Sequence, residues 1–115
     1  MAIVIVSVVH NTQWQIMPDG MVQRSIDGGA TWTQSTRASV APTAGASPSP
    51  LVCWLVGPQG LVLLTTDGTS WKRLAFPEAI ALTRVQASDE KTATVTAANG
   101  RTFSTTDGGV TWTSQ

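Results

Sequence analysis

The chain has 115 residues, seven basic and seven acidic side chains, one histidine and one cysteine. Its charged fraction is 12%, about half the usual share, and no basic stripe stands out, which speaks against nucleic acid as a partner. One cysteine excludes an intrachain disulfide, and the apolar start MAIVIVSVV is too short to span a bilayer and lacks the basic flank of a signal peptide.

In chain order, β-branched residues at 3–9 predict a buried strand. A second strand is expected at 13–17, then a hairpin turn at Pro18-Asp19-Gly20, a third strand at 21–25 and a fourth at 31–34. The stretch ASVAPTAGASPSP is rich in Pro, Ser and Ala. A strand is expected within 39–44, and 45–50 reads as a loop inside the second unit, with a domain linker as the alternative. Strands follow at 52–56, 61–65 and 71–74, with GPQG as the turn between the first two. Cys53, inside LVCWLV, reads as a small buried hydrophobe. The last unit has strands at 81–87, 92–97, 101–105 and 111–114, and no segment keeps a helical period.

The chain repeats itself. Asp27, Asp67 and Asp107 are 40 residues apart, and so are Gly20, Gly60 and Gly100. Trp14 and Trp54 keep that spacing, as do Pro18 and Pro58. Four strands per period of this length mark a β-propeller blade. The expected fold is therefore all-β: three four-stranded antiparallel propeller blades at about 1–36, 37–76 and 77–115 in one domain.

Each unit carries the pattern Ser/Thr-x-Asp-x-Gly-x-Thr-Trp. The Asp side chain can accept backbone N–H groups within its own turn, and the Gly supplies positive φ. The Trp covers the hairpin and packs toward the neighbouring sheet, worth roughly 2–3 kcal/mol by area. In the first turn these are Ser25, Asp27, Gly29, Thr31 and Trp32. The middle turn has Thr65, Asp67, Gly68 and Trp71 and is one residue short. The last has Thr105, Asp107, Gly109, Thr111 and Trp112. One carboxylate per turn is too few for calcium, and one His with one distant Cys is too few for zinc, so no metal or cofactor is expected.

SIDGGATW and TTDGGVTW resemble Asp-box (BNR) motifs. CWLVGPQGLVLLTTDG is similar to repeats of the photosystem II assembly-factor-like propellers. The order of motifs from Trp14 onward also resembles a C-terminal module of acidobacterial membrane-associated proteins that follows an anti-sigma-like region. These resemblances imply a β-propeller, an Asp-box scaffold without catalytic role, and an extracytoplasmic bacterial setting.

Propellers close with four to eight blades. Three blades leave two open faces, with apolar residues such as Ile3, Ile5 and Val85 expected to be partly uncovered. A head-to-tail dimer closing a six-bladed ring answers this, and a fragment of a larger propeller is the alternative. The Asp-box resemblance brings sialidases into view, but the chain has no Tyr for their nucleophile, and Arg24, Arg84 and Arg101 sit at non-equivalent positions. His10, beside Asn11 and Thr12, reads as a turn residue, and Asp89 with Glu90 as strand neighbours on opposite faces. No enzyme is expected. The functional expectation is a non-catalytic interaction module that binds protein. The alternative is a lectin-like binder with Trp14 and Trp54 stacking on sugar and Arg24 and Arg101 nearby, against the common reading of both Trp as core.

Overall fold

The structure is a computed structural model that describes residues 3–6, 12–37, 41–49, 51–68 and 70–114. The first sheet holds β1 (Ile3–Val6), β2 (Gln13–Ile16), β3 (Met21–Ser25) and β4 (Thr33–Arg37). The second holds β5 (Ala44–Ser49), β6 (Val52–Val56), β7 (Val62–Thr65) and β8 (Trp71–Arg73). The third holds β9 (Leu82–Ala87), β10 (Ala93–Ala97), β11 (Thr102–Thr105) and β12 (Thr113–Ser114). Each sheet is an antiparallel meander in sequence order, so the described chain forms three blade-like sheets.

The sheets stack because their strands alternate. On β6 and β7, Cys53, Leu55 and Leu63, with Leu61 just before β7, point back to the first sheet and join Ile5, Trp14, Ile16 and Val22. Val52, Trp54, Val56, Val62 and Leu64 point forward and join Leu82, Val85, Val95 and Phe103 of the third. The middle sheet is thus apolar on both faces, which explains the near-continuous runs VCWLV and VLLT. Burial pushes the Cys53 thiol well above its ordinary pKa.

The chain diverges from the sequence expectation at residues 45–50. Ala44–Ser49 is a strand, not a loop. Its small residues are required by close packing: a Cβ on Gly45 would lie 2.7 Å from Leu55 Cδ2 and 2.8 Å from Ile5 Cγ1. Pro48 is tolerated because β5 is an edge strand whose register shifts between Ala46 and Ser49. The fourth strands of the outer sheets also begin later than expected, since Thr31 and Thr111 are held by the Asp turns that precede them.

A second correction concerns the ends of the array. Ile5 and Val85 are buried between sheets, not uncovered. The side chain of Ile3 lies outside the described residues; among those described in the first strand, the exposed apolar ones are Val4 and Val6, each 51% accessible.

Candidate functional site

The three Asp turns are hydrogen-bonded scaffolds. In the first, Ser25 Oγ accepts from Gly29 N at 2.8 Å and donates to Asp27 Oδ1 at 2.7 Å, while Asp27 Oδ1 accepts from Thr31 N at 2.9 Å. Thr31 Oγ1 donates to the other carboxylate oxygen. Thr105, Asp107, Gly109 and Thr111 repeat the arrangement. The Thr31 and Thr111 donors, with Ser25 and Thr105, hold Asp27 and Asp107 at a pKa of about 2. In the shorter middle turn, Gly68 N donates to Thr65 Oγ1 and Ser70 N takes the place of the Thr N–H on Asp67. Every carboxylate is committed to its own turn.

Two of the Trp residues that follow these turns, Trp71 and Trp112, join their sheet to the one before it. Trp71 packs edge-on against Trp14 of the first sheet, with ring centroids 5.6 Å apart, and its Nε1 donates to Ser35 Oγ at 2.7 Å. Ser35 in turn donates to Gly68 O at 2.9 Å. Trp112 packs on Trp54 of the second sheet at 6.4 Å and on Phe76 at 5.2 Å. Trp32, in the first sheet, has no described sheet behind it and is half-buried beside Gly29. The closeness of these contacts excludes a side chain at the turn: a Cβ on Gly109, whose φ is 86, would lie 2.3 Å from Leu74 Cδ1.

Trp14 and Trp54 lock the sheets in the forward direction. Both rings are 0% exposed. Trp14 Nε1 donates to Ser47 Oγ of the second sheet at 3.1 Å, and Trp54 Nε1 donates to Asp89 O of the third at 3.0 Å. Neither ring presents a face on which a sugar could stack. Of the two arginines expected near them, Arg24 is at Trp14 and Arg101 is not. Arg24 lies over the Trp14 ring, its guanidinium carbon 5.3 Å from the centroid, in a crevice with Ile26, Gln34 and Gly68. Arg101 is on the third sheet, paired to Glu78 at 2.9 Å and bonded to Ser114. The four residues therefore do not form one site.

Asp89 and Glu90 lie in the turn between β9 and β10, not on a strand as the sequence suggested. Asp89 Oδ1 accepts from Lys91 N and Thr92 N, which lowers its pKa. His10 and Asn11 lie outside the described residues. Among the described residues no three His, Cys, Asp or Glu gather as metal ligands, and no helix is long and apolar enough to cross a membrane.

Two features were not anticipated. The hydroxyls of Ser35 and Ser47 join neighbouring sheets, and Ser47 was hidden in the stretch that resembled a loop. The outward faces of the array are mostly polar: the positions of Cys53, Leu55 and Leu63 are Gln13, Gln15 and Gln23 in the first sheet, and that of Leu61 is Met21. Those of Trp54, Val56, Val62 and Leu64 are Thr94, Thr96, Thr102 and Ser104 in the third. The spacing of 40, applied residue by residue, carries that signal.

A further concavity lies between the innermost strands. A hollow of about 600 Å³ is bounded by β1, β5 and β9, with Val4, Val6, Ala44, Ala46, Pro48 and Gln86 on its wall and no charged side chain among its lining residues.

No protein-family model matches the chain, and no curated protein does. Solved structures do match. One titled "YCF48 bound to D1 peptide" superposes with a TM-score of 0.83 at 20% identity, covering 99% of this chain and 42% of its own. Another, "YCF48 from Cyanidioschyzon merolae", gives 0.79 at 24% identity, covering 96% of this chain and 38% of its own. The chain thus spans about two-fifths of each of these proteins and has the fold of that part of them.

Proposed function

We propose that this chain is a non-catalytic, protein-binding propeller module built on Asp-box turns. The observation that carries the reading is the likeness, over nearly the whole chain, to the structure of YCF48 bound to a D1 peptide. The chemistry of the chain agrees: the Asp27, Asp67 and Asp107 carboxylates are spent within their turns, and its central hollow is uncharged and suited to a polypeptide rather than to a charged metabolite. The lectin reading finds no support in Trp14 and Trp54, which are sealed between sheets. The test is direct. The chain is immobilised and offered, separately, a displayed library of linear peptides and a glycan array. Enrichment of peptides without glycan binding is expected; glycan binding without peptides would replace this reading with the lectin.

Closure into a six-blade ring by two copies is the assembly reading kept beside it. Trp32 favours it, because it holds the place of Trp71 and Trp112 with no described sheet behind it. The polar faces that would have to meet weigh on the other side. Sedimentation mass decides: a dimer is expected for the ring, and a stable, folded 12.1 kDa monomer would remove it.

A further inference from the structure

We infer that the free edge of β1 is a docking site for an extended, uncharged peptide, which adds to the first sheet as a fifth strand. The inference deepens the protein-binding reading above and rests on it. β1 is an edge strand of its sheet, paired among the described residues only to β2, in the register Ile3–Ile16 through Val6–Gln13. In such an antiparallel pair alternate residues turn their N–H and C=O groups toward the partner, and the others turn them outward. Half of the backbone groups of β1 therefore face the edge, next to the hollow that β1 lines.

Edge strands are normally guarded against pairing by charge, proline or a bulge. The three innermost strands differ in this respect. β5 carries Pro48 and a register shift between Ala46 and Ser49. β9 carries exposed Arg84, and its pairing with β10 shifts between Thr96 and Ala97. β1, of sequence IVIV, has no charge, no proline and no shift, and two of its valines are half-exposed. The uncharged wall of the hollow sets the chemistry of the occupant. Backbone hydrogen bonds to β1 would supply the attachment, and β-branched side chains at alternate positions would lie beside Val4 and Val6.

The experiment uses the peptides selected from the displayed library. The chain is compared with a Val4→Lys/Val6→Lys variant, both positions being exposed enough to accept charge without unfolding, as a thermal melt will check. Enriched sequences should be uncharged, with β-branched residues at alternate positions. The double variant should weaken their binding about tenfold or more, as should N-methylation of alternate peptide amides. Amide exchange at 3–6 should slow on binding. Peptides that bind the variant and the N-methylated form equally well, or that protect amides elsewhere, overturn the edge assignment while leaving protein binding intact. Enrichment of glycans alone overturns the protein-binding reading itself. If the variant fails to fold, the N-methyl comparison and the exchange pattern on the unaltered chain decide alone.

Discussion

Replacing Trp71 and Trp112 separately by phenylalanine should give unequal losses of stability, although both rings hold the same place in the repeat. Trp71 Nε1 donates to Ser35 Oγ at 2.7 Å, whereas Trp112 Nε1 is buried without a hydrogen-bond partner. The reason is one residue. Ser35 of the first sheet touches the turn glycine Gly68, and in the second sheet Leu74 touches the turn glycine Gly109, so an apolar side chain stands where the acceptor stood. Trp71→Phe loses a hydrogen bond worth about 1 kcal/mol, and the smaller ring gives up a further ~1 kcal/mol of apolar burial. Trp112→Phe gives up the same burial but also removes a buried donor that costs about 1–3 kcal/mol to leave unmet, so it should be neutral to stabilising by up to about 2 kcal/mol. A difference of about 2–4 kcal/mol is expected, read as a midpoint shift at constant slope in urea unfolding. Equal losses, or a larger loss for Trp112→Phe, would refute the assignment of Ser35 and Leu74 as equivalent positions.

Three other outcomes can be checked on the same apparatus. Ser47→Ala strands Trp14 Nε1 inside the first interface and should cost about 1–3 kcal/mol, while the exposed Ser114→Ala should cost less than half a kcal/mol. Gly109→Ala should be clearly worse than Gly28→Ala: both have positive φ, but only at Gly109 does the new methyl run into Leu74. Stability should also fall in acid. Asp27 and Asp107 have folded pKa values of about 2, below the ordinary 3.8, so their contribution is complete above pH 3.8 and is lost as pH falls toward 2. In pH-dependent urea titrations, a Asp27→Asn/Asp107→Asn variant should flatten that part of the profile; an unchanged slope would refute it.

The regularity of the chain was legible because local chemistry repeats. Asp27, Asp67 and Asp107 organise their own turns through donors three or four residues away, so spacing and residue type sufficed to place three sheets and their hairpins. The candidate site was read less well. Trp14 and Trp54 stood out as aromatic residues outside the turns, but whether such a ring faces solvent or a second sheet depends on what stacks against it. β5 was missed because Gly45, Ser47 and Pro48 carry loop chemistry in isolation. Their size makes sense only with Ile5 and Leu55 pressed against the strand and Trp14 reaching across to the Ser47 hydroxyl.

By itself the sequence determined the all-β class, the four-strand period, the hairpin turns and the internal bonding of each Asp turn, because these are set within a few residues of one another. Tertiary structure alone decided which face of each strand meets a neighbour, which Trp finds an acceptor, and that Val4 and Val6 are the exposed valines of an unguarded edge. Those properties depend on residues about 35 to 60 positions apart brought together by the stacking of sheets, a relation that no local pattern encodes.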